Sequence, residues 1–272
     1  MDPHTPYTPG LDHDHWGGER LRELQAEMDN QVWEFYGGQR PWWQITALAT
    51  LYDGAIHQVD TQIRRIVETL RWRGEFENTL LVVTGDHGDG FGERSKVRPD
   101  MRVAGHQARG IDETLLHVPL VVKHPGQNDP DRVPEVASLT EFPTVVRAVL
   151  NGEYDGTEFA PEEPVVATSY GLDEQKEEMA SQYCDDIERF RETAHAVYEG
   201  SGNEVIEYVT WGDSEATLRV YDAETAATVS QDGGDRVREV VDTFAPQDVL
   251  ESSEGDDLTD SAKKRLEDLG YV

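Results

Sequence analysis

Between residues 46 and 84 the apolar positions change period. From about Thr46 to Arg73, Leu48, Tyr52, Ile56, Val59, Ile63, Ile66 and Leu70 recur three or four residues apart. That spacing draws one apolar stripe and predicts a helix. Gly74 can close it with a left-handed cap. Asn78-Thr79 supplies a turn. Leu80-Leu81-Val82-Val83-Thr84 then runs apolar without a break. It is too short for a buried helix and predicts a strand covered on both faces. Helix, turn and apolar strand make half of a βαβ unit, and so an α/β fold. Ile111 to Leu116 reads as a short helix, followed by a second buried strand opening at Pro119, a tolerated first position. Val165–Ser169 reads as one more strand. From about Ala194 to Val229 the pattern becomes short strands joined by Gly and Asp turns. Ala194–Tyr198, Val205–Val209 and Thr217–Asp222 predict an antiparallel meander.

The apolar run at Leu80 leads into Gly85-Asp86-His87-Gly88-Asp89-Gly90. Ligands of α/β proteins gather outside the carboxyl ends of such strands. A hard carboxylate oxygen at Asp86 and an imidazole at His87 can hold a divalent cation there. Gly105-His106 lies just before the second predicted helix-strand pair, which returns His106 to the region of Asp86. At the start of the chain Pro3, Pro6 and Pro9 make an extended segment. By composition alone, its His4 is a mobile terminal residue. Asp12-His13-Asp14-His15 alternates acids and imidazoles. Flanked by Pro and Gly, it reads first as a solvated loop and second as a metal cluster. Glu19 to Asn30 is a short polar helix. Trp33, Phe35, Tyr36, Trp42 and Trp43 form an aromatic patch, either core or a docking face.

Composition changes the picture in one respect. Across 272 residues, 55 acids oppose 24 Lys and Arg, a net charge of −31. The acids are spread along the chain between striped helices and apolar strands. That favours a folded protein with an acidic surface, of the kind suited to a salt-rich cytoplasm, over disorder. Such a surface repels nucleic acid and anionic membranes. One stretch inverts the sign: Arg94, Lys96, Arg98, Arg102 and Arg109 stand against Asp100 alone. It reads either as a solvated loop or as the border of an anion site. Cys184 is the single cysteine, so no intrachain disulfide forms. There is no apolar stretch of spanning length and no signal-peptide pattern at Met1, so a cytoplasmic location is expected.

Taken in order, Tyr52-Asp53, Val59-Asp60, Asp86-His87-Gly88, Gly105-His106 and Val118-Pro119-Leu120 resemble the sulfatase family of the alkaline-phosphatase superfamily. A lone D-H-G is weak; the pieces in sequence are strong. Asp2-Pro3-His4-Thr5-Pro6-Tyr7 is similar to the family's D-P-H-x-P-Y segment, and Leu266 to Tyr271 to its terminal L-x-x-L-G-Y. The resemblance implies an alkaline-phosphatase-like mixed sheet with helices on both faces, incomplete here, plus a small C-terminal antiparallel sheet subdomain. It divides the chain into 1–170 (part of the catalytic α/β domain), 171–235 (the small β subdomain with a helix) and 236–272 (an acidic linker and terminal helix). It implies that Asp86 and His87 are metal ligands and that His4 and His106 are catalytic imidazoles. The implied cofactor is a divalent metal, calcium first, with manganese or magnesium as alternatives. The implied substrate is a small-molecule or glycan sulfate ester. The family's paired Asp ligands and its C/S-x-P/A-x-R nucleophile have no match. The chain is therefore expected to be a C-terminal part that turns over little by itself, either as such or completed by a complementary N-terminal chain. The alternatives are a phosphodiesterase or phosphoglycerol transferase of the same superfamily, and a catalytically incomplete remnant.

Overall fold

The computed structural model describes residues 3–106, 108, 110–162, 164–221 and 225–243. Arg109, Asp222, the acidic linker and the terminal helix expected to close at Leu266–Tyr271 lie outside the described residues. Two short helices come first, α1 (Glu19–Ala26) and α2 (Trp33–Tyr36). The aromatic patch is core: Trp33 and Phe35 are fully buried, with Tyr36 and Trp42 packed against them. Trp43 alone of the five is exposed.

The predicted long helix is present as α3 (Trp43–Arg73), and it ends as expected. Gly74 has φ 73°; its N–H donates to the Arg71 carbonyl, and the Glu75 N–H to that of Leu70. The expected stripe is only partly inside. Ile45, Leu48, Leu51, Gly54 and Ala55 are buried, whereas Ile56 and Ile66 are exposed. What covers α3 is the N-terminal segment and the strand that follows Asp89, and both meet its first half. A Cβ on Gly54 would lie 3.0 Å from Pro9, and Thr46 Oγ1 donates to the Phe91 carbonyl at 2.9 Å.

A 3-10 turn, Phe76–Asn78, leads to β1 (Leu81–Thr84). The chain then forms a hairpin, β2 (Gly90–Arg94) and β3 (Arg102–Gly105), a single helical turn, α4 (Glu113–Leu116), and β4 (Leu120–Lys123). β4 returns antiparallel beside β1, with Leu81 opposite Lys123 and Thr84 opposite Leu120. Here the sequence reading is corrected. β1 is a half-buried strand of a two-stranded antiparallel pair, not one covered on both faces, and its Thr84 is exposed. An unbroken apolar run records what a strand can bury. Which neighbours cover it depends on the docking of other elements.

α5 (Phe142–Asn151) begins with Pro143 in its first turn and closes at Gly152, φ 72°. The rest is a five-stranded antiparallel sheet in chain order: β5 (Val165–Ser169), then α6 (Glu174–Ser181), β6 (Ala194–Glu199), β7 (Val205–Trp211), β8 (Ser214–Val220) and β9 (Ala226–Ser230). The expected meander is thus present, joined by β5 before it and β9 after it. Alternation decides its faces. Ala196, Val209, Trp211, Ala216 and Leu218 turn into the main core with Trp33, Phe35, Ile111 and Phe190. On another face Val197 packs against Val237 and Val240 of α7 (Gly234–Thr243). The mixed α/β class with a C-terminal antiparallel sheet is as expected. Among the described residues no helix is long and apolar enough to cross a membrane.

Candidate metal and catalytic site

The loop after β1 is held by backbone before any side chain acts. Gly88 N–H donates to the Leu115 carbonyl of α4 at 2.9 Å. A Cβ at Gly88 would lie 2.0 Å from the Thr114 oxygen, so only glycine fits. This contact aims His87. Its Nδ1 lies 2.9 Å from the Gly88 carbonyl. A carbonyl only accepts, so Nδ1 carries the proton and Nε2 keeps the lone pair a metal needs. Asp86 accepts from the His87 backbone N–H at 3.1 Å, and its Oδ1 stands 4.0 Å from His87 Nε2.

The β2–β3 hairpin delivers the next pair. Gly90 opposes Gly105, which sets Asp89 and His106 side by side. A Cβ on Gly90 would come within 2.4 Å of Val103, so this crossing also demands glycine. His106 Nδ1 is 2.7 Å from Asp89 Oδ1. The other oxygen of Asp89 accepts from the Tyr7 hydroxyl at 2.8 Å. The Asp89 side chain is 3% exposed, so both partners hold a buried carboxylate. Burial, then the Asp89 charge, pushes the Tyr7 hydroxyl well above the usual tyrosine range, so it stays a donor.

The imidazoles converge. The His87 and His106 rings are 4.1 Å apart, and His4 lies 5.2 Å from His106. His87, Asp89 and His106 each offer a ligand atom within 4.8 Å of the others. Two imidazole nitrogens and a carboxylate oxygen are a reasonable donor set for a divalent cation. Of the residues read from sequence, His4, His87 and His106 come together. Asp86 sits beside His87 but outside that three-residue group. Sequence reasoning passed over Asp89 and Tyr7, although each lies inside a quoted motif.

Three guanidinium groups of the basic stretch are engaged within the protein. Arg98 pairs with Glu192, donates to the Arg189 and Trp211 carbonyls, and lies 4.3 Å over the Trp211 ring. Arg102 donates to the Gly92 carbonyl at 2.6 Å, and Arg94 to that of Pro99 at 3.1 Å. These guanidinium groups fasten the hairpin to itself and to the C-terminal sheet. Cys184 is buried, with its thiol 3.4 Å from the Asp186 carbonyl, and takes no part.

The family profile described as Sulfatase matches residues 3–151, more than half of the chain. The chain belongs to the sulfatase family. Among solved structures, this sulfatase-family chain is similar to a phosphonate monoester hydrolase from Silicibacter pomeroyi. The identity is 16% and the TM-score 0.49, over 89% of this chain and 52% of that one. It is also similar to a phosphonate monoester hydrolase of Agrobacterium radiobacter, with 20% identity and a TM-score of 0.40, over 66% of this chain and 36% of that one. The chain thus spans about half the length of the first of these structures. No curated protein matches it.

Proposed function

We propose that this chain carries the metal-and-histidine part of a hydrolase for sulfuric esters. The observation that supports this most is the convergence of His87, Asp89 and His106 within 4.8 Å, with His4 beside them. His87, Asp89 and His106 would hold the cation, and Asp86 stands close enough to join them. When bound, the cation supplies Lewis-acid polarisation of the ester's oxygens. Calcium is the ion the resemblance implies, but it prefers six to eight oxygens. Of calcium, magnesium and manganese, this nitrogen-containing set favours manganese.

The chain's own residues do the rest. With His106 held as a ligand, His4 beside it is the imidazole placed to give a proton to the leaving oxygen or to stabilise its charge. Asp89 fixes the ring of His106, and Tyr7 fixes Asp89. Among the described residues none fits the nucleophile, and few further acidic ligands stand at this place. We propose that both come from residues outside this sequence, on a complementary chain or on a longer form of this one. The phosphodiester reading differs in the reacting ester and shares this geometry.

Calorimetric titration with manganese and assays on aryl sulfate and aryl phosphodiester test the proposal. The chain alone is expected to bind manganese weakly, and His87→Ala with His106→Ala to weaken binding about tenfold or more. Turnover of both esters should stay near background. Equal binding by parent and double variant would remove the metal site. Ordinary enzymatic turnover of aryl sulfate by the chain alone, lost in Asp86→Ala, would remove the need for a complement.

A further inference from the structure

A second set of imidazoles stands outside the His87–Asp89–His106 group. The loop Asp12–His15 reads as a solvated run, and one of its four residues is otherwise engaged. Asp14 turns inward, with its side chain 1% exposed. It accepts from the N–H groups of Gly17 and Gly18 and pairs with Arg22. Its neighbours His13 and His15 both approach His57, which α3 supplies from more than 40 residues away. The His13 and His15 rings lie 5.0 and 4.8 Å from the His57 ring. His13 Nδ1 is 3.3 Å from His57 Nδ1.

That last distance has two chemical meanings. It can be one N–H donating to one nitrogen. It is also the separation of two donors on one tetrahedral cation: zinc–nitrogen bonds of about 2.0–2.1 Å at the tetrahedral angle put the nitrogens about 3.3–3.4 Å apart. The surroundings favour the second. The loop is fixed to α3 independently of these rings, because Gly10 N–H donates to Gln58 at 2.9 Å and Pro9 abuts Gly54. The pair is therefore already positioned before any ion binds. His15 is exposed and can turn at χ1 to present a third nitrogen at little cost. A net charge of −31 raises the local concentration of any cation.

We infer that His13, His15 and His57 form a second metal site, selective for a borderline divalent ion of the zinc class, with water completing the coordination. Imidazole donors without carboxylate favour zinc, nickel or copper over calcium and magnesium. The ion staples the N-terminal segment to α3. That segment also carries His4 and Tyr7, so the staple is structural and steadies residues of the first site.

Calorimetric titration with zinc chloride decides this, using the full chain carrying His87→Ala and His106→Ala so that the first site cannot report. One zinc per chain is expected, with a rise in thermal midpoint. His57→Gln in that background should weaken zinc binding about tenfold or more, and His15→Gln should weaken it by a smaller factor. Zinc isotherms that do not change with His57→Gln would overturn the inference. Should His57→Gln fail to fold, the exposed His15→Gln carries the test, and an unchanged zinc affinity there overturns the three-histidine site. Calcium in place of zinc should give no comparable heat.

Discussion

Asp89 is the residue on which the first site turns, because its two oxygens join Tyr7, in the N-terminal segment, to His106, on the hairpin. Asp89→Asn keeps the shape and removes the charge. It leaves Tyr7 O–H facing either an oxygen or an amide N–H, and it removes the carboxylate that orients His106. Manganese affinity is expected to fall about 10- to 100-fold, while circular dichroism stays unchanged; affinity within twofold of the parent would contradict the assignment. A second buried acid behaves differently. Glu207 on β7 is fully buried. Its pKa lies well above the carboxylate range because of burial first and the Glu113 charge next. The Tyr198 hydroxyl contacts both Glu113 and Glu207, and one hydrogen cannot serve both. A neutral Glu207 carboxyl supplies the second proton. Its folded pKa exceeds its unfolded one. The stability it brings is therefore present below the ordinary carboxylate pKa and is lost as pH rises toward the raised value. Glu207→Gln cannot ionise. Urea melts at several pH values above 5 should show the variant losing stability less steeply, by up to about 1.4 kcal/mol per pH unit. An equal or steeper fall in the variant would count against a neutral Glu207.

At the scale of elements, the contact that matters is between the loop after β1 and α4. Gly88 lies against the Thr114 carbonyl and donates to that of Leu115. Gly88→Ala must push these backbones apart. A destabilisation of about 1–3 kcal/mol is expected, together with weaker manganese binding, because His87 moves with the loop. Denaturation and titration of the same sample check both, and a variant as stable as the parent would show that the loop and α4 are not in contact. Elements were legible where their signal was local. The α3 stripe, the Gly74 cap and the alternation in β6 to β8 all act within four residues along the chain. The pairing of β1 with β4 alone, and the exposure of the second half of α3, were not, because burial is set by what packs from elsewhere.

For the whole molecule, charge is the governing quantity. If every Lys and Arg paired with one acid, 31 acids would still lack a partner, since 55 exceed 24 by that number. Repulsion among them outweighs the surface ion pairs, which contribute little individually. Added salt screens both, with the Debye length falling from roughly 10 Å at 0.1 M to 3 Å at 1 M. Net stabilisation by potassium chloride is therefore expected. Urea, being uncharged, is the suitable denaturant, and the unfolding midpoint should rise between 0.1 and 1 M salt. A falling midpoint would mean that local pairs such as Arg98–Glu192 and Arg236–Glu199 dominate instead.

The sequence by itself determined the helix-then-strand order, the antiparallel meander and the family, and it singled out three imidazoles that the fold brings together. Each rests on spacing along the chain or on motifs read in order. The tertiary structure alone decided that Asp89 answers to Tyr7 across 82 positions, that Arg98 lies over the Trp211 ring, and that His13 meets His57. Periodicity encodes which side of an element is apolar. It holds no record of which distant element will come to rest against that side, and these pairings exist only through that docking.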